Sequence, residues 1–238
     1  MHELLTKVVA DLDESGLAYR GCVFDSTLRL TEAFDSESGN VWVLVGFAGS
    51  AHWTRFAESP EANDGKPNAL DRWSMRLLKR IADGLGCEAV SPNDRRLPLQ
   101  RLALQAGGVF QSPLGLLIDA EYGLWHAYRG ALRFGNRHPL YSPSLAAIER
   151  HTQSVSPCES CTTQPCLNAC PVDAFQPAGF SVSACLDHLR GVGASTCLPN
   201  GCSARSACPI GAQHRYSKAQ LQFHLKAFLN AFEPTKTL

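Results

Sequence analysis

The sequence predicts an α+β fold, and three observations carry that prediction. Apolar residues recur at helical spacing in several stretches, short continuous apolar runs rich in β-branched residues lie between them, and eight of the ten cysteines crowd into residues 158–208. The chain is expected to divide into an N-terminal domain, 1–140, of helices packed on a sheet, and a C-terminal domain, 141–238, that carries the cysteines and a closing helix. Repeats and low-complexity tracts are absent from the sequence.

Taken in order, Leu4, Leu5, Val8, Val9 and Leu12 predict an amphipathic helix over 2–14 that Gly16 ends. Ala18 to Phe24 reads as a strand. Val41-Trp42-Val43-Leu44-Val45-Gly46-Phe47-Ala48 is apolar throughout, the pattern of a strand buried on both faces. Residues 49–66 are polar and read as a loop. A long helix follows, with Asn68 as N-cap, Leu70, Trp73, Leu77, Ile81 and Leu85 on one face, and Gly86 at its end. A strand over 87–92 and a helix from Pro98 to Ala106 come next. Arg95, Arg96 and Arg101 read as a solvated face. A strand ending near Asp119, the turn Glu121-Tyr122-Gly123 and a second strand, Leu124 to Phe134, predict a β-hairpin. Residues 135–157 carry Pro139, Pro143 and Pro157 and read as a link, interrupted by a short helix near 144–151. Ser217 and Gln220 form a capping box for the last helix, whose apolar face is Leu221, Leu225, Phe228, Leu229 and Phe232.

Composition narrows the function classes. The 238 residues are 45% hydrophobic and 18% charged, enough for a real core. Lys plus Arg and Asp plus Glu balance at 22 each, which argues against a broad nucleic-acid footprint. No apolar run is long enough to span a membrane. The N-terminus has neither the basic start nor the apolar core of a signal peptide, so the chain is expected to stay in the cytoplasm, where thiols are reduced. The fingerprints of a P-loop, a dinucleotide fold, a nucleophile elbow and a zincin are all missing from the sequence.

The cysteines carry the chemistry. Cys158, Cys161, Cys166 and Cys170 form C-x2-C-x4-C-x3-C-P, close to the C-x2-C-x2-C-x3-C-P run of bacterial two-cluster ferredoxins, whose last cysteine ligates the other cluster. Cys185 stands alone, and Cys197, Cys202 and Cys208 end in a second Cys-Pro. Eight thiolates make two sets of four, the number that two [4Fe–4S] clusters need. The crossover rule assigns Cys158, Cys161, Cys166 and Cys208 to one cluster and Cys170, Cys185, Cys197 and Cys202 to the other. Cys166 and Cys170, four apart, would share one face of a helical turn and bridge the two sites. Disulfides are the reading for an oxidising compartment and a small chain, neither of which applies. Zinc is a weaker alternative, since only Cys158 and Cys161 form a pair of the usual spacing and zinc sites lack the trailing proline. Cys22 and Cys87 read as packed, unligated thiols, and His188, the histidine nearest the ligands, as a surface or hydrogen-bonding residue, with a ligand role the weaker alternative.

These residues resemble the iron–sulfur and cobalamin-dependent epoxyqueuosine reductase family over about 98–210. Ala106-Gly107-Gly108-Val109-Phe110-Gln111-Ser112-Pro113-Leu114-Gly115-Leu116-Leu117-Ile118 is similar to that family's A-G-L-G-W-I-G-K-N-T-L-L-I, and Glu121-Tyr122-Gly123-Leu124-Trp125 to its E-Y-G-S-W. The cysteine order is the same. The chain also resembles small alphaproteobacterial proteins labelled ferredoxin. The resemblance implies a nitroreductase-like cobalamin-binding domain followed by a ferredoxin-like domain. It also implies a cofactor cleft in which Gly107 and Gly108 allow close backbone approach while Phe110, Trp125 and Tyr128 supply apolar walls. The family's lysine and asparagine are replaced by Pro113 and Leu114, and no catalytic residue can be assigned in register, Asp94 included. Two functional classes follow. One is an electron carrier that serves a redox partner protein or a small-molecule acceptor. The other is a reductase whose clusters feed a cobalamin.

Overall fold

In the computed structural model the described residues are 3–24, 39–94, 97–135, 137–140 and 155–232. Arg95, Arg96 and the short helix expected near 144–151 lie outside them. The protein is α+β, and it groups into two compact units. The first comprises residues 1–109 with 126–154, and the second 110–125 with 155–238. Residues 110–125, read above as part of the N-terminal domain, thus belong to the unit that carries the cysteines.

The first unit is built on a four-stranded antiparallel sheet. Its strands are β1 (Ala18–Phe24), β2 (Val41–Ala48), β3 (Glu88–Val90) and β6 (His126–Phe134), in the order β1-β2-β6-β3. Residues 41–45 of β2 are fully buried in succession, so both faces of the sheet are covered, as the unbroken apolar run predicts. Helix α1 (Glu3–Ser15) packs on β1 through Leu5, Val8 and Leu12. Helix α4 (Ala69–Leu85) packs on β6 and β3, and α5 (Leu99–Ala106) on β1 and β2. Gly86 ends α4 at φ 67. Asn68 precedes it but is left-handed and makes no side-chain cap, so the expected capping bond is not formed.

Two expectations are corrected. The 49–66 loop contains two short helices, α2 (Trp53–Ala57) and α3 (Pro60–Asn63). Ser59 caps α3 by accepting a bond from the Ala62 N–H at 3.3 Å, Pro60 pre-sets its first turn, and Phe56 is buried edge-on against Trp73. Polarity hid this order because three of its buried residues, His52, Ser59 and Glu61, are polar and only Phe56 is apolar. The second correction is the hairpin. Strand β5 (Leu117–Asp119) pairs with β4 (Val109–Gln111), while β6 pairs with β2 and β3. The Asp119 carboxylate accepts bonds from the N–H groups of Glu121 and Tyr122 at 2.8 and 2.9 Å and curls the chain locally. Leu124 and Trp125 are therefore not part of a strand, and the sheet resumes at His126.

The second unit has little strand. Its elements are β4, β5, α6 (Pro165–Asn168), the β7–β8 pair (Phe175–Gln176 and Gly179–Phe180), α7 (Val182–Arg190), α8 (Cys197–Asn200), α9 (Ser203–Ala207) and α10 (Lys218–Ala231). Ser217 caps α10 as predicted, accepting from the Gln220 N–H at 3.3 Å. Among the described residues, no helix is long and apolar enough to cross a membrane.

Candidate metal centre

All eight clustered cysteines lie in the second unit, and short elements set their positions. Cys158 and Cys161 close a turn, the Cys161 N–H donating to the Cys158 carbonyl at 3.3 Å. Cys166 lies in α6, and Cys170 just past its end. The shared helical turn expected for these two is thus cut short after Asn168. Ser181 caps α7, which carries Cys185. Cys197 opens α8. Cys202 and Cys208 flank α9 at its two ends. Helices α6 and α9 pack on each other.

The thiols act on one another in two groups. Cys158 is raised by burial and then by Cys208, Cys166 and Cys161. Cys166 is raised by burial and by Cys208 and Cys161, and Cys208 by burial and Cys161. In the second group burial pushes Cys185 up to about 11, with Cys202, Cys170 and Cys197 adding to the shift. Cys202 is raised by burial and by Cys170 and Cys197. Each of these couplings joins members of the same set of four that the crossover rule names. All ten cysteines are free thiols.

Cys208 belongs to an apolar cluster with Leu114, Ile118, Leu124 and Ala204, against which Cys158, Cys166, Cys170 and Cys202 pack. Backbone N–H groups act on several sulfurs. Ala174 donates to Cys170 at 3.3 Å, and the N–H groups of Leu167, of Ile210, and of Ala204 and Arg205 favour the thiolate forms of Cys166, Cys208 and Cys202. Cys170, Cys185, Cys197 and Cys202 all line one cavity of about 420 Å³, otherwise walled mainly by apolar side chains such as Phe175, Leu189, Leu221 and Phe228. Among the described residues no three His, Cys, Asp or Glu side chains close on a single ion. A lone zinc would require ligands converging to about 2.3 Å from one point.

Two interlocked turns hold Cys208. Gly123 and Gly211 have φ 57 and 67, and the two turns touch backbone to backbone. A Cβ on Gly123 would lie 1.9 Å from the Ile210 carbonyl oxygen, and one on Gly211 would lie 2.3 Å from the Tyr122 carbonyl carbon. Arg205 ties the same region together. Its Nε donates to the Leu124 carbonyl at 3.1 Å, and its guanidinium lies 4.7 and 4.6 Å from the Trp125 and Tyr216 rings. The glycines of Glu121-Tyr122-Gly123 and Pro209-Ile210-Gly211 were the sequence signal for this joint, and their pairing could be read only in three dimensions.

The five residues expected to line a cofactor do not gather in one unit. Gly107, Gly108 and Tyr128 belong to the first, Phe110 and Trp125 to the second. Phe110 packs against the apolar cluster around Cys208. Trp125 is fully buried, with Arg205 and Tyr216 against its ring. Within the second unit these side chains serve as packing. His188 Nε2 lies 3.5 Å from Cys197 Sγ. Cys22 and Cys87 stand apart in the first unit, both pushed up to about 12, each chiefly by burial. No family model matches the chain, and no curated protein matches it.

Proposed function

We propose that this is an iron–sulfur electron-transfer protein holding two [4Fe–4S] clusters, one on Cys158, Cys161, Cys166 and Cys208 and the other on Cys170, Cys185, Cys197 and Cys202. The observation that carries the reading is the gathering of one complete four, Cys170, Cys185, Cys197 and Cys202, around a single cavity, while the neighbouring thiols that raise Cys158, Cys166 and Cys208 all come from the other four. When bound, such clusters supply one-electron chemistry over a range of roughly −700 to +450 mV. The thiolates anchor the iron, the N–H groups of Leu167, Ala174, Ala204, Arg205 and Ile210 stabilise negative charge on their sulfurs, and the apolar packing excludes water. Helices α6 and α9 each have cysteines of both sets in or beside them, which gives a short covalent route between the two sites. Electrons would enter from a redox donor and leave to a partner protein or a small-molecule acceptor.

The test is the metal content and colour of protein purified without oxygen. The reading expects about eight iron and eight acid-labile sulfides per chain, with broad brown charge-transfer absorption. Zinc without sulfide would overturn it. Sharper corrin bands alongside the iron would favour the cobalamin-dependent reductase instead.

A further inference from the structure

We propose that His188 is a positioning residue that donates a hydrogen bond to the Cys197 sulfur and thereby raises the reduction potential of the site formed by Cys170, Cys185, Cys197 and Cys202. The inference rests on the cluster reading above. Two independent features of the fold place the ring. Helix α7 carries His188 three residues after Cys185, so one short helix supplies both a thiol and an imidazole to the same cavity wall. The 192–194 turn then holds the imidazole from the other side. Gly193 is buried there, and a Cβ on it would lie 2.5 Å from His188 Cδ2 and 2.8 Å from Nε2. The glycine therefore leaves room both for the ring, which is aimed at Cys197 Sγ from 3.5 Å, and for the His188 carbonyl, which a Cβ would meet at 2.6 Å.

A metal-bound thiolate carries no proton, so the contact must be N–H···S with the proton on Nε2. Such a bond is stronger when the sulfur bears more negative charge. It therefore favours the reduced form, and its loss lowers the potential. Ser203 Oγ lies 3.9 Å from the same sulfur and cannot replace a bond at 3.5 Å. The four thiols of the other set lie outside this contact, so the effect should be confined to one site of the two.

The experiment is a potentiometric titration of the anaerobic holoprotein followed by paramagnetic resonance, with iron and sulfide measured first. His188→Phe should keep the iron and shift one of the two components to lower potential, a several-fold change in its reduction equilibrium, leaving the other in place. His188→Gln, which keeps an N–H donor, should recover part of the shift. Gly193→Ala, which crowds the ring, should move the same component in the same direction as His188→Phe. The proposal is overturned if both components move equally or neither moves. It is also overturned if His188→Phe halves the iron, because the imidazole would then hold the group rather than tune it. Wild-type protein without iron would instead defeat the cluster reading itself, which keeps the two failures distinct.

Discussion

Gly123→Ala separates a structural account of the Cys208 joint from a merely local one. At φ 57 an alanine is strained by about 1–2 kcal/mol wherever it occurs. Here the added Cβ would also sit 1.9 Å from the Ile210 oxygen, against a normal C···O contact of roughly 3.3 Å. The obstacle is backbone, which cannot rotate away, so one turn must retreat by more than about 1 Å and break the packing. Overpacking of that kind costs about 1–3 kcal/mol. The sum, about 2–5 kcal/mol, lowers the melting temperature by on the order of 5–20 °C for a chain of this length. Gly115→Ala is the control, since Gly115 has φ 71 with nothing near its missing Cβ. It should cost only the backbone strain, a drop of about 2–8 °C. Thermal unfolding followed by circular dichroism measures both. Because the Ile210 N–H favours the Cys208 thiolate, Gly123→Ala should also lose iron faster on exposure to air, while Gly115→Ala should not. Equal melting shifts in the two variants would refute the interlocked-turn argument.

Other predictions concern the remaining thiols and Arg205. Burial raises the Cys22 thiol from 9.0 to about 12, so between those values the unfolded chain has lost a proton that the folded chain keeps. Stability is full below pH 9 and falls above it, by up to about 1.4 kcal/mol per pH unit, and chemical denaturation of Cys22→Ala should show a flatter alkaline limb. Iron content should not change in Cys22→Ala or Cys87→Ala, as assayed colorimetrically. Arg205→Met keeps the backbone N–H that serves Cys202 but removes the guanidinium between Trp125 and Tyr216. It should cost about 2 kcal/mol, a melting shift of about 4–8 °C, with iron retained.

How much of this was legible beforehand depended on the range of the interactions. β1 and β2 were read from local periodicity because their apolar patterns are self-contained, and β2 in particular admits no exposed face. The end of α4 was equally local, since Gly86 closes it on its own. Helix α3 escaped notice because its cap, Ser59-Pro60, sits in a polar stretch and its buried residue, Glu61, is held by Arg76 rather than by apolar packing. The hairpin failed because pairing is a choice among partners. Strand β6 has the length to cover β2, and Asp119 turns the chain before a hairpin can form. At the candidate site, the cysteine spacing placed eight thiols in one segment, and the structure puts all eight in the second unit. His188 was visible beside the ligands, but its aim at Cys197 was not legible, and the backbone donors did not show because N–H groups leave no sequence signature.

The central claim, two interleaved four-thiol sites, is tested most directly by counting iron in paired substitutions. Cys208 is close in sequence to Cys202 and far from Cys158, yet the account groups it with Cys158. Cys208→Ser combined with Cys158→Ser should therefore strip one site and leave about four iron per chain. Cys208→Ser combined with Cys202→Ser should damage both sites and leave almost none. The reverse pattern, with iron kept in the Cys202 pair and lost in the Cys158 pair, would contradict the account.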